Sequence, residues 1–395
     1  MPTQRQLFFE YLGLPSSRPL GLEISSAHGV YLYGPEGKDY IDLVSGVTVS
    51  NLGHQHPDII RAVKDQADRY MHLMVYGEII QAPQVLLAEA LSKTLSSQLS
   101  STYFVTSGSE AIEGAMKLAK RFTGRTEVIA FRNAYHGGTQ GALSLAGSEE
   151  LKNSFRPLLP GIRFLEFNNF SDLTKISTET ACVVAETIQA EAGIILPEEG
   201  FLESLRARCT ETGTLLVIDD IQMGMGRTGK MFSFEHFSIV PDILCLAKAF
   251  GGGMPLGAFI SSKEIMRSLT HDPELGHITT FGGHPVSCAA SLASLNYLLI
   301  NKIHESAEAK ASVFIERISG HPEIKAIRCK GLMLGIELQN ALQTAKLLQN
   351  FIENGLVADA FLFRPTAFRI APPLTITEEE IHIACDRIIK SLDQL

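Results

Sequence analysis

Between about residues 102 and 258, short apolar runs alternate with stretches of helical periodicity, and this alternation constrains the fold more than any other feature of the chain. The runs cover residues 102–106, 127–131, 181–186, 215–219, 243–246 and 258–261. Such an order predicts an α/β protein, a mostly parallel sheet covered by helices. After the first run, Ser107-Gly-Ser-Glu110 forms a turn, and Ile112, Ala115, Met116, Ala119 and Phe122 then fall on one helical face. In open sheets of this kind ligands gather at the carboxyl ends of strands, so the residues that follow each run are the candidates for function.

With 395 residues, 45% of them hydrophobic, the chain can bury one large core and a second, smaller one. A formal charge of −9 argues against a nucleic-acid or anionic-membrane surface, which needs clustered positive charge. The six cysteines are scattered, without CxxC or metal-ligand spacing, and read as thiols in a reducing compartment, with no metal site. No apolar targeting core or membrane-length run is present in the sequence, so cytoplasmic residence is expected. After about residue 287 the character changes to a long helical run over 286–301, further amphipathic sequence and an acidic helix start behind Thr377. The expected division is an N-terminal segment, 1–50, packing with the small domain; a large domain, 51–286; and a small C-terminal α+β domain, 287–395. A strand pair around 30–33 and 39–43, joined by the turn 34–37, belongs to the first segment.

Lys248 lies between the run 243–246 and the glycine triplet Gly251 to Gly253. A strand-end lysine there can lose solvent, lower its amine pKa and attack an aldehyde; the structural alternative is a surface lysine closing a strand. Ser107-Gly108-Ser109 joins a strand to a helix start, where free N–H groups, the helix dipole and hydroxyls favour an anion; alternatively Ser107 or Ser109 is a plain N-cap. Tyr135, in Asn133-Ala-Tyr-His-Gly-Gly138, offers a flat face on which a ring can stack, with His136 beside it. Asp219 places an acid at the end of a buried strand, where it needs a positive partner or hydrogen bonds. It either caps a structural network or holds a pyridine nitrogen protonated, with Gln222 in reach of a ring hydroxyl.

Three segments in order, Asp219-Asp-Ile-Gln-Met-Gly-Met-Gly-Arg-Thr-Gly229, Ala247-Lys-Ala-Phe-Gly-Gly-Gly253 and Thr279-Thr-Phe-Gly-Gly283, closely resemble the class III pyridoxal-phosphate-dependent aminotransferases. That family includes acetylornithine, ornithine, 4-aminobutyrate and diamine enzymes. The resemblance extends from Gly46 and Asn51-Leu-Gly-His54 to Arg369. It implies fold type I, a large domain with a seven-stranded, mostly parallel sheet flanked by helices, plus a smaller α+β domain. It implies further that Lys248 holds pyridoxal 5'-phosphate as an imine, that Asp219 pairs with the pyridinium nitrogen, and that Ile221 and Tyr135 sandwich the ring. Gly108 and Ser109 are implied as the phosphate seat; Ser107, His136 and Gln222 are expected, from their own positions, as further cofactor-binding residues. Thr280 is implied to reach the phosphate of a neighbouring subunit, and hence a homodimer. Arg369 is implied as the clamp for a substrate carboxylate, and Glu191 as the glutamate that covers it when the substrate end is uncharged.

The chain departs from the family pattern at Gly138, where several members carry an arginine for a second carboxylate; a glycine cannot replace a guanidinium. Thr187 stands for the usual proline, Ala190 for glycine, Asp220 for glutamate and His284 for asparagine. The expected activity is transfer of an amino group from an ω-amino donor (an ornithine-like amino acid, acetylornithine or a diamine) to 2-oxoglutarate by a ping-pong route, with glutamate as product. An aminomutase or racemase of the same fold, and a noncatalytic dimeric binding protein, are the alternatives.

Overall fold

The computed structural model describes residues 2–35 and 37–395. Its first strands, β1 (Ser26–His28), β2 (Tyr31–Tyr33) and β3 (Asp39–Asp42), pair antiparallel in sequence order. The turn 34–37 between the last two is closed by the Gly37 N–H donating to the Gly34 carbonyl at 3.0 Å; Glu36 of that turn lies outside the described residues.

The central sheet has seven strands: β4 (Ser101–Val105), β5 (Glu127–Phe131), β6 (Ile162–Leu165), β7 (Thr180–Glu186), β8 (Leu215–Asp219), β9 (Ile243–Leu246) and β10 (Gly257–Ser261). Their order is β4-β10-β9-β8-β7-β5-β6. β10 runs antiparallel to both of its neighbours, and the remaining ladders, from β9 across to β6, are parallel. The inner strands β7, β8 and β9 are buried along their whole length, as a sheet covered on both faces requires. Shortening a fully buried side chain there, such as Ile218 or Leu244, would cost about 2–5 kcal/mol. β6 is absent from the sequence expectation: it lies at the sheet edge, only partly buried, and its Arg163 points out to pair with Glu127 at 2.5 Å, which breaks the apolar run.

The helix Gly108–Thr123 follows β4 directly. Ser107 caps it by accepting from the Glu110 N–H at 3.2 Å, and Gly124, at φ 70°, ends it in the left-handed region that favours glycine. Ile112, Ala115, Met116 and Ala119 of its apolar face are buried; Phe122, in the last turn, is 40% exposed, so the face ends one turn earlier than its spacing suggests. The helix Pro285–Asn301 packs on the helices Pro57–Arg69 and Ala82–Thr94 and on the turn that carries Lys248. At Gly252 that packing leaves no room for a side chain: an added Cβ would stand 2.7 Å from the Ala290 carbonyl oxygen.

The remaining strands are β11 (Ala326–Cys329), β12 (Leu334–Glu337), β13 (Leu356–Val357), β14 (Ala360–Phe361) and β15 (Arg364–Ile370). Four form an antiparallel sheet, β11-β12-β15-β14, while β13 pairs parallel with β3 and extends the N-terminal sheet. The last helix, Glu378–Leu392, starts from a reciprocal cap in which the Glu380 N–H donates to Thr377 Oγ1 and the Thr377 N–H to Glu380 Oε2. Among the described residues, no single helix is long and apolar enough to cross a membrane.

Candidate active site

Because the strands flanking the centre of the sheet share one direction, their carboxyl ends open on one edge, and the side chains that follow them converge. Ser107 after β4, Tyr135 and His136 after β5, Asp219 at the end of β8 and Lys248 just beyond β9 line one cavity of ≈ 440 Å³. Glu186, the last residue of β7, lines it as well.

At one end stands the N-terminus of the helix Gly108–Thr123. Ser107 satisfies the Glu110 and Ala111 N–H groups, which leaves the N–H groups of Gly108 and Ser109, both lining the cavity, at the positive end of the helix dipole. Ser107 is therefore the cap; Ser109 Oγ accepts from the Gly138 N–H at 3.2 Å and ties this turn to the aromatic loop. Gly108 lets the turn lie close to Ile221, since a Cβ there would stand 2.9 Å from Ile221 Cδ1 and the isoleucine tip would have to shift.

Across the cavity, Asp219 Oδ2 is 2.6 Å from His136 Nδ1, and its Oδ1 accepts from the Ile221 N–H at 3.1 Å. Burial pulls the His136 pKa down, but the hydrogen bond and charge of Asp219 outweigh it and raise the pKa above the ordinary histidine value. His136 thus holds the buried acid in place through this hydrogen bond. Glu186 is tied to both loops, accepting from the Ala190 N–H at 3.1 Å and from the Tyr135 N–H at 3.4 Å, and burial pushes its pKa up to about 8.

Lys248 opens a short 3-10 turn, Lys248–Gly251, with φ 49°, an uncommon conformation for a residue with a side chain. Burial lowers its pKa, against the opposing pull of Glu191, so the neutral amine is more accessible than in water.

The carboxylate of Glu191 meets Arg369 in a buried pair. Arg369 Nη2 lies 2.9 Å and 3.1 Å from the two oxygens of Glu191, and Arg369 is 1% exposed. Gln222 Nε2 donates to Glu191 Oε1 at 3.0 Å, and the Leu362 N–H donates to Oε2 at 3.1 Å. Asp359 Oδ1 lies 3.2 Å from Arg369 Nε, and the ring of Phe361 packs 4.7 Å from the guanidinium carbon. Arg369 Nη1 is buried with no hydrogen-bond partner among the described residues.

The structure thus brings Ser107, Gly108, Ser109, Tyr135, His136, Asp219, Ile221, Gln222, Lys248 and Glu191 around one cavity, with Arg369 held against its wall by Glu191. Thr280 is exposed and does not line it. Sequence reasoning did not single out Glu186, Leu362, Asp359 or Ser233. Ser233 joins two of the departures: its hydroxyl and N–H both donate to Asp220, and Thr187 Oγ1 lies 2.5 Å from the same hydroxyl. Asp220, pushed up to about 7 by burial, therefore keeps its contacts although it is shorter than glutamate. Arg227, in the same segment as Asp219, is structural: it is fully buried and donates to the Leu332 and Pro372 carbonyls and to Asn51 Oδ1.

The residues present fit pyridoxal 5'-phosphate. The helix end suits its phosphate, the Asp219 and His136 pair suits a ring nitrogen, and Lys248 suits its aldehyde. Two buried polar atoms beside the cavity, His136 Nε2 and Gln222 Oε1, have no partner among the described residues, and the second suits a ring hydroxyl.

Fold and cavity together define a pyridoxal-phosphate enzyme, and comparison with known proteins gives its family. The model of the family described as Aminotransferase class-III matches residues 14–392. An acetylornithine aminotransferase from Methanopyrus kandleri is 38% identical over 368 residues, 92% of either chain. The ornithine aminotransferase from Toxoplasma gondii, whose crystals hold pyridoxal phosphate at partial occupancy, superposes with a TM-score of 0.90 at 28% identity, covering 98% of this chain and 93% of its own. An adenosylmethionine-8-amino-7-oxononanoate aminotransferase from Methanocaldococcus jannaschii gives 0.91 at 28% identity, covering 99% and 98%. The chain belongs to the class III aminotransferases, and its cofactor is pyridoxal 5'-phosphate.

Proposed function

We propose that this aminotransferase moves an amino group from an ω-amino donor, an ornithine-like amino acid, acetylornithine or a diamine, to 2-oxoglutarate in two half-reactions that share one cavity. The observation that carries the reading is the buried Glu191–Arg369 pair beside Lys248. With Glu191 on Arg369 the site presents no free cation to the donor; with Glu191 displaced, the guanidinium is available to a carboxylate of the keto acid. Two substrates of different charge can then use one site in turn. The names of the acetylornithine and ornithine relatives support the donor class.

Bound pyridoxal phosphate supplies the aldehyde that takes up the amino group and the ring that accepts electrons from the donor carbon. Gly108 and Ser109 would seat the phosphate, Ile221 and Tyr135 would hold the ring between them, and Asp219, oriented by His136, would keep the ring nitrogen protonated. The Lys248 amine would hold the aldehyde and would serve as the base that moves the proton from the donor carbon. Its lowered pKa suits that work.

We further propose a homodimer in which Thr280 serves the neighbouring subunit's phosphate. Its exposure outside this chain's own cavity supports that role, as do the exposed apolar side chains Ile278 and Phe281 beside it. The division at residues 50 and 286 and a cytoplasmic setting belong to the same proposal, the latter supported by six cysteines without disulfides.

A donor panel of ornithine, N-acetylornithine, lysine, 4-aminobutyrate, putrescine and cadaverine, with 2-oxoglutarate fixed and glutamate measured, tests the reading. Glutamate formation with at least one ω-amine is expected; none with any of the six would overturn it. Lys248→Ala is expected to lose the visible cofactor band and turnover together.

A further inference from the structure

Thr280 stands on a short strap of chain between two anchors, and the first anchor involves a residue outside the cofactor cavity. Three residues before Thr280, the His277 carbonyl accepts from the Tyr103 hydroxyl at 2.6 Å, and the His277 ring packs against the rings of Tyr103 and Phe259. Lys117 Nζ lies 2.9 Å from Nδ1 of the same histidine. Beyond Thr280, the Gly283 carbonyl accepts from Gln84 Nε2 at 2.6 Å, and a Cβ added to Gly282 would stand 2.5 Å from the Phe104 carbonyl oxygen. Between the anchors Ile278, Thr280 and Phe281 are exposed.

The first anchor is built on rigid structure. Tyr103 belongs to β4, its ring stacks on Phe259 of β10 with centroids 4.9 Å apart, and Lys117 belongs to the helix Gly108–Thr123 that follows β4. The turn between that strand and helix faces this chain's own cavity. Three residues of free chain can sweep about 10 Å, whereas a hydrogen bond to phosphate tolerates a shift of only about half an ångström. A strap held at both ends presents its threonine already in place, so the entropy of ordering it is lost on folding and not when the cofactor binds.

We propose that Tyr103 is a positioning residue: through the His277 carbonyl it holds Thr280 at the reach needed to serve the neighbouring subunit's cofactor phosphate. The inference rests on the proposed homodimer with Thr280 on that phosphate. Tyr103 touches neither cofactor. Its hydroxyl fixes the strap, the strap fixes Thr280, and each chain thereby sets the cofactor affinity of its partner's site rather than of its own.

For the test, the cofactor-loaded enzyme is dialysed against graded concentrations of pyridoxal 5'-phosphate, and the visible band retained gives the dissociation constant. Tyr103→Phe, which removes one hydroxyl and keeps the ring stack, is expected to raise that constant by about three- to tenfold, the value of one hydrogen bond. Thr280→Ala is expected to raise it by about tenfold or more, and adding Tyr103→Phe to Thr280→Ala is expected to change nothing further. Mixed dimers then locate the effect. When Tyr103→Phe and Lys248→Ala share one chain, only the wild-type partner shows the visible band, and its constant is expected to rise. The reverse pairing, Tyr103→Phe alone against a Lys248→Ala chain, is expected to show the wild-type constant. A rise confined to the chain that carries Tyr103→Phe, or equal Tyr103→Phe effects with and without Thr280, would show the tyrosine acting through its own helix and overturn the proposal. A Thr280→Ala effect without a Tyr103→Phe effect would overturn it too and leave the homodimer reading standing. An unchanged constant in Thr280→Ala would remove Thr280 from the phosphate, and that earlier reading would fall first.

Discussion

Glu186 stands directly opposite Asp219 in the parallel register of β7 and β8, so two acids share the buried carboxyl edge of the sheet. Asp219 is hydrogen-bonded to His136, whereas burial pushes Glu186 up to about 8. The native chain thus holds a proton on Glu186 that the unfolded chain releases. Stability from this group is full below about pH 4.5 and falls as the pH rises through about 8. Asp220, raised to about 7, adds a loss of the same sign. Glu186→Gln carries no such proton and is expected to flatten the decline between pH 5.5 and 7.5 by about 1 kcal/mol per pH unit. Urea unfolding of both proteins at several pH values reads this directly, and parallel curves would show that Glu186 is ionised in the native state.

Asp219 and His136 form one hydrogen-bonded unit, and removing either end has unequal consequences. Asp219→Ala takes away the proposed counter-charge of the ring nitrogen and is expected to lower kcat by about 10²–10³-fold, as loss of a preorganised electrostatic partner does. His136→Ala leaves the acid in place but loose, and a smaller loss, about tenfold, is expected. Stopped-flow measurement of one half-reaction separates these effects from binding. Equal losses in the two variants would mean that His136 touches the reacting group itself.

Much of this site is legible in the sequence because its chemistry follows strand ends, which are local signals. Asp219, Lys248, Tyr135 and Ser107 each sit at or just after an apolar run that is in fact a strand. The edge strand β6 escapes because its Arg163 faces outward, and the apolar period is lost. What the sequence hides is partnership at a distance. Leu362 reaches Glu191 through a backbone N–H, which no side-chain pattern reports, and Asp359 meets Arg369 only because β14 and β15 fold back on each other. Ser233 likewise becomes visible only when its hydroxyl is found between Thr187 and Asp220.

That serine carries a prediction of its own. Ser233→Ala removes the hydroxyl from a fully buried carboxyl group at Asp220, and the expected cost is about 1–3 kcal/mol of stability. Since Ser233 does not line the cavity, the Michaelis constants for both substrates are expected to stay as they are while the melting temperature falls. A changed Michaelis constant with an unchanged melting temperature would place the network in substrate binding instead.

Arg369 is paired with Glu191 and flanked by Asp359, and if it is the proposed carboxylate clamp its removal acts on one substrate more than the other. Arg369→Ala is expected to raise the Michaelis constant for 2-oxoglutarate by about tenfold or more, the value of a charge-assisted hydrogen bond, and to leave a diamine donor far less affected. Steady-state kinetics with each substrate varied in turn provides the comparison. Equal effects on both substrates would remove the gate from the mechanism.

Gly138 offers a test of the donor class proposed above. Its position is exposed, and a Cβ added there meets nothing within 4 Å, so the backbone that now donates to Ser109 Oγ can carry a longer side chain without strain. Gly138→Arg places a guanidinium at the rim, next to the cavity-lining Gly137. A carboxylate bound by it gains one or two charge-assisted hydrogen bonds, and kcat/KM for N-acetylornithine or 4-aminobutyrate is expected to rise by about 10–100-fold. For putrescine, whose far end is cationic, the same substitution is expected to lower kcat/KM by like-charge repulsion. The crossed pattern, gain for one donor class and loss for the other, distinguishes recognition at this position from a general change in the enzyme. A variant that alters both classes in the same direction would show that the far end of the donor does not lie against residue 138.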